Sequence, residues 1–176
     1  MRKRWNILRA DEPAVLSLQE SLKVNPVLCR ILTQRGINDF EKAKYFFRPQ
    51  LTDLHDPWLM KDMHKAVDRL EKAIKNQEKI LIYGDYDVDG VTSTALLTEV
   101  LRSLGWKAEH YLPRRLEEGY GLSRDGVENC LEKFPCPLLL AVDCGSTAVE
   151  TIRWLNERRV EVVVLDHHQV SSPAPE

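Results

Sequence analysis

Lys79-Ile80-Leu81-Ile82-Tyr83-Gly84-Asp85-Tyr86-Asp87-Val88-Asp89-Gly90 joins a short apolar run to three aspartates at alternate positions. The run 79–84 reads as a β-strand. The aspartates after it repel one another unless a cation lies among them. Calcium is the first cation to test. An EF-hand loop opens Asp-x-Asp-x-Asp-Gly, and Asp85, Asp87, Asp89 and Gly90 fit that opening. Such a loop also needs a glutamate at its twelfth position and a helix on each side. Leu96 holds that position and a strand precedes the loop, so the EF-hand reading fails.

Outward from this stretch the chain alternates strand, loop and helix. Further strands are predicted over 107–112, 137–142 and 160–165, and helices over about 91–104, 123–133 and 147–158. Apolar strands alternating with helices predict an α/β fold, a parallel sheet covered on both faces. Gly105 suits the end of the first of these helices, and Thr147 with Glu150 reads as a capping box for the last. Before the sheet, Met63, Ala66, Val67, Leu70, Ala73 and Ile74 mark one face of an amphipathic helix over 61–76. Residues 1–60 read as a small helical region. Pro13 opens one helix, Asn25-Pro26 opens a second that stops at Gly36, and Asn38 or Asp39 caps a third ending before Pro49. The domain boundary is therefore set at 60/61.

In sheets of this kind ligands sit at the carboxyl ends of the strands. Strand 79–84 runs into Asp85, Asp87 and Asp89, strand 137–142 into Asp143-Cys144-Gly145, and strand 160–165 into Asp166-His167-His168. Any one of these has a plainer reading: a strand-end aspartate as a cap, the two histidines as one surface and one core residue. Three together on one edge predict a shared site. Carboxylates with one or two imidazoles suit Mn²⁺ or Mg²⁺, and five or more ligands exceed the needs of a single ion. Two ions would bridge a phosphate, activate a water and stabilise a leaving oxygen, which is phosphoester or phosphoanhydride hydrolysis. Cys144 reads as a nucleophile or as a small residue in a tight turn. Asp87-Val88-Asp89-Gly90-Val91 also resembles the haloacid-dehalogenase nucleophile motif. That family places its nucleophile directly after the strand, whereas Gly84-Asp85-Tyr86 intervenes here.

Bulk properties bound the choice. The 176 residues suffice for one domain with a core and a small appendage, and a formal charge of −2 neither favours nor excludes nucleic acid. No apolar run approaches the ~20 residues of a membrane span. The first residues, MRKRWNILRADE, lack the apolar core of a secretory signal. Cys29, Cys130, Cys136 and Cys144 form no CxxC pair, which reads as reduced thiols in a cytoplasmic protein.

Gly84–Gly90, Val142-Asp143-Cys144-Gly145 and Leu165-Asp166-His167-His168 resemble the first three motifs of the DHH phosphoesterase superfamily. Within it the chain is similar to the bacterial exonucleases specific for single-stranded DNA. The cues are Val91-Thr92-Ser93-Thr94-Ala95 after the first motif and the segment Arg115-Leu116-Glu117-Glu118-Gly119-Tyr120-Gly121-Leu122-Ser123. In the leader, Arg35-Gly36-Ile37 and Asp56-Pro57 fit as well. The resemblance implies 5′→3′ hydrolysis of single-stranded DNA in recombination and repair, with two Mn²⁺ or Mg²⁺ ions. It implies Asp85, Asp87, Asp89, Asp143 and His167 as metal ligands, Asp143 bridging. His168 would sit beside the substrate phosphate, and Asp166 would orient the histidines. Arg115, Gly119, Tyr120 and Gly121 would lie along the nucleic acid. Repair or replication proteins are implied as partners.

The family also carries a later aspartate, a second domain and, in the exonucleases, an OB-type module. The chain stops at Glu176, eight residues after His168. It is thus expected to be an N-terminal portion, truncated before its last metal-ligand motif, with an apolar sheet edge. A non-catalytic binding or scaffold fragment and a small-substrate phosphodiesterase stay open as alternatives.

Overall fold

The computed structural model describes Arg4 and residues 6–175, the side chain of Arg115 excepted. Two compact units meet in sequence at Leu59 and Met60. The first holds α1 (Glu12–Leu22), α2 (Pro26–Gln34) and α3 (Phe40–Phe47), then two single-turn 3-10 helices. Local chemistry sets these helices. Pro13 lies in the first turn of α1, Asn25 Oδ1 accepts from the Val27 N–H, and Asp39 Oδ1 accepts from the Lys42 N–H. Val15, Leu18, Cys29, Leu32 and Ala43 form their shared core.

The second unit runs α4 (Met63–Lys75), β1 (Ile80–Gly84), α5 (Val88–Ser103), β2 (Ala108–Tyr111), α6 (Arg115–Glu118) and α7 (Arg124–Lys133). It continues with β3 (Leu138–Val142), α8 (Val149–Glu157) and β4 (Glu161–Leu165). The strands form a parallel sheet in the order β2-β1-β3-β4, as the alternation predicts. Successive strand residues face opposite sides. Leu81, Tyr83, Leu139 and Ala141 pack with Val127, Cys130, Ile152 and Leu155 of α7 and α8. Ile80, Ile82, Leu138, Leu140 and Val142 pack with Ala73 and Leu101 of α4 and α5. Both faces are therefore covered, which is why β1 and β3 are apolar throughout. β4 is less enclosed: Val162–Leu165 are half-buried and line an open cleft with residues of α4.

Three local expectations are corrected. The helix predicted from residue 91 starts at Val88, because Asp87 caps it by accepting from the Gly90 N–H at 3.0 Å. Thr147 and Glu150 form no capping box; α8 starts at Val149 behind Ala148, and Glu150 pairs with Arg153 instead. Residues 115–118, which fall between the strand predicted over 107–112 and the helix predicted over 123–133, make the short helix α6. No helix among the described residues is long and apolar enough to cross a membrane.

Candidate metal centre

The sheet register brings the carboxylates together. Gly84 lies beside Val142, and Val142 beside Leu165. The next residue of each strand is an aspartate, so Asp85, Asp143 and Asp166 emerge side by side at one edge. The start of α5 closes on the same edge. A Cβ at Gly90 would fall 2.4 Å from the Asp85 carbonyl oxygen, so only glycine lets the helix approach this near. That approach carries Asp87 and Asp89 to the strand ends.

Two groups of donor atoms result, each within 4.8 Å: Asp85, Asp87 and Asp143 form one, and Asp143, His167 and His168 the other. Asp143 belongs to both. Its backbone is left-handed, at φ 60°, and its carboxylate is 5% exposed. His167 Nε2 lies 3.1 Å from Asp143 Oδ1. Burial and the neighbouring Asp87 carboxylate push the Asp143 pKa up, against the pull of His168 and His167. Asp87 moves down, chiefly through the hydrogen bond from Gly90.

Asp166 has a different job. Its Oδ2 accepts from the Ser146 N–H, and its Oδ1 accepts from the His168 N–H and faces His168 Nδ1 at 2.7 Å. Burial alone would raise its pKa, but these hydrogen bonds outweigh it and hold the carboxyl below the usual range. An ionised Asp166 can only accept, so His168 Nδ1 donates. The same pairing raises the His168 pKa.

Asp89, in the first turn of α5, is exposed and stands outside both donor groups. It lines a cleft of about 430 Å³ together with Thr92, Asp143, Asp166 and His167. Arg115 opens α6, and its side chain lies outside the described residues. Gly119, Tyr120 and Gly121 form the turn after α6, with positive φ at both glycines. The Tyr120 ring meets Tyr86 edge-on, centroids 6.0 Å apart. Tyr86 and Tyr83, whose hydroxyl donates to the Gly121 carbonyl, carry no motif signal that periodicity could single out. Cys144 is buried, its thiol 3.9 Å from the Tyr83 carbonyl, and burial pushes its pKa far up. It is a packing residue rather than a nucleophile.

The buried oxygens Asp85 Oδ2 and Asp143 Oδ2 have no hydrogen-bond partner. Leaving such atoms bare in the interior is costly, and a divalent cation is the partner their geometry suits. Oxygen and imidazole donors match Mn²⁺ or Mg²⁺. One carboxylate common to two donor groups fits a pair of ions.

A parallel α/β fold with acidic motifs at three strand ends defines a class of metal-binding domain. Residues 79–176 match the model of the DHH family, N-terminal domain, and the chain belongs to that family. RecJ proteins are among its relatives. It is 39% identical over 175 residues to the single-stranded-DNA-specific exonuclease RecJ of Bacillus subtilis, covering 99% of this chain and 22% of that protein. The crystal structure of an exonuclease RecJ bound to manganese superposes with a TM-score of 0.61 at 41% identity, over 66% of this chain and 30% of that one. RecJ from Thermus thermophilus, in complex with Mn²⁺, gives 0.63 at 31% identity, over 98% of this chain and 24% of that one. The chain thus spans less than a third of each.

Proposed function

We propose that this chain is the metal-binding part of a Mn²⁺- or Mg²⁺-dependent 5′→3′ exonuclease that hydrolyses single-stranded DNA in recombination and repair. The observation that carries the reading is Asp143, a buried carboxylate shared by two donor groups at the ends of three aligned strands. In the proposed roles Asp85, Asp87 and Asp143 hold one ion, and Asp143 and His167 hold the other. Asp89 completes the coordination from the cleft wall. When bound, the ions would polarise the phosphodiester and lower the pKa of a water so that it can attack as hydroxide. His168, oriented through Nδ1 by Asp166, presents Nε2 to the phosphate. Arg115, Gly119, Tyr120 and Gly121 face the nucleic acid backbone. The setting is cytoplasmic, with repair or replication proteins as partners.

The test is hydrolysis of a labelled single strand by the protein, with Mn²⁺, against Asp143→Ala. The variant is expected to lose hydrolysis by at least about a hundredfold while keeping its circular dichroism. Retained hydrolysis sinks the assignment. Faster cleavage of a dinucleotide than of a long strand would instead favour a small-substrate phosphodiesterase.

A further inference from the structure

Outside the metal edge, one buried carboxylate among the described residues remains unexplained: Glu118, 5% exposed, at the end of α6. A carboxylate in that position opposes folding unless donors surround it. Three do. The Tyr111 hydroxyl and Asn129 Nδ2 donate to Oε1, and the Arg114 N–H donates to Oε2 at 2.6 Å. These donors come from the end of β2, from Arg114 just before α6, and from α7. The main-chain carbonyl of Glu118 accepts from Ser123 Oγ, and Ser123 in turn caps α7. Burial opposes ionisation here, but the hydrogen bonds prevail and the pKa is lowered.

A four-residue helix has no stability of its own. Glu118 binds α6 to β2 and α7, and so fixes the start of the adjoining turn, Gly119-Tyr120-Gly121. The Tyr83 hydroxyl fixes its other end through the Gly121 carbonyl at 3.2 Å. Between these anchors Tyr120 is 63% exposed and stands edge-on to Tyr86, the residue between Asp85 and Asp87.

We propose that Glu118 is a positioning residue, whose buried carboxylate holds the 119–121 turn so that Tyr120 presents an aromatic face to single-stranded nucleic acid beside the metal edge. This rests on the proposed function, in which that turn faces nucleic acid. Glu118 touches no reacting atom; it acts through Tyr120. Glutamine at 118 keeps the shape but offers fewer acceptors than the three donors need.

The experiment compares Glu118→Gln, Tyr120→Ala and the double variant, each with Mn²⁺. Binding of a labelled single-stranded oligonucleotide is read by anisotropy, Mn²⁺ affinity by calorimetry, and exchange of the 119–122 amides by deuterium uptake. Glu118→Gln should weaken oligonucleotide binding about tenfold, the worth of one charge-assisted hydrogen bond. Mn²⁺ affinity should stay within about twofold, because no donor to the metal edge is touched. Exchange at 119–122 should accelerate while that of β1 and β3 does not. In the Tyr120→Ala background the Glu118 change should add nothing further to binding. Additive losses, or an unchanged turn, overturn the proposal. If the wild-type chain binds no oligonucleotide, the nucleic-acid reading fails, and exchange alone judges Glu118 as the anchor of the turn. Should Glu118→Gln not fold, Tyr111→Phe removes one donor and keeps the ring stacked on Tyr83, 5.8 Å away. The same pattern, in smaller degree, is then required.

Discussion

Asp143 concentrates the chemistry of the site in one side chain. It is buried, takes a left-handed backbone conformation, and faces Asp87 and both histidines. Its raised pKa means that its charge opposes folding once pH exceeds the ordinary carboxylate value, so at neutral pH the ion-free fold carries the cost. Asp143→Asn relieves that repulsion and replaces the shared anionic donor with a neutral amide. Its melting temperature without metal should therefore equal or exceed that of the wild type. Mn²⁺ at a hundred times the wild-type dissociation constant should stabilise the wild type by about 2.7 kcal/mol and the variant by no more than about 1.4 kcal/mol. A thermal melt with and without Mn²⁺ reads both. A destabilised variant that responds to Mn²⁺ as fully as the wild type would show that Asp143 serves packing instead.

At the level of elements, the helix starts divide into capped and uncapped. Ser123 Oγ accepts from the Gly126 N–H at 3.1 Å at the start of α7, whereas no side chain caps α8. Ser123→Ala should cost about 1 kcal/mol in urea denaturation, and Thr147→Ala less than about 0.5 kcal/mol. The reverse order would restore the capping box that the sequence suggests. This contrast shows where sequence reading stops. The strands were legible to within a residue or two, most plainly β1 and β3, because an apolar strand buried on both faces leaves an uninterrupted pattern. The start of α5 was not, because Asp87-Val88-Asp89-Gly90 reads equally as a loop until Gly90 is seen against the Asp85 backbone. α6 was hidden for a related reason. Its fold comes from Glu118 bonding to Tyr111 and Asn129, a tertiary contact that periodicity does not record.

For the molecule as a whole, the parallel register does what no single motif can. Equal strand ends set Asp85, Asp143 and Asp166 in a row, and the crossover through α5 adds Asp87 and Asp89. The sequence shows that strand ends carry carboxylates, but not which of them converge. Asp87 joins Asp85 and Asp143, while Asp89 turns toward the cleft wall, because a helix start directs residues two apart to different sides. The division between Asp143 in both donor groups and Asp166 tied to Ser146 and His168 is likewise a matter of three-dimensional packing.

The central claim, that these strand ends cradle cations, is tested most directly by calorimetric titration of Mn²⁺ into the folded chain beside Asp143→Ala. Binding by the wild type is expected, with a loss of at least about tenfold in the variant, since a shared donor serves both groups. Equal affinity in the two, or no heat from a wild-type chain shown to be folded, would contradict it.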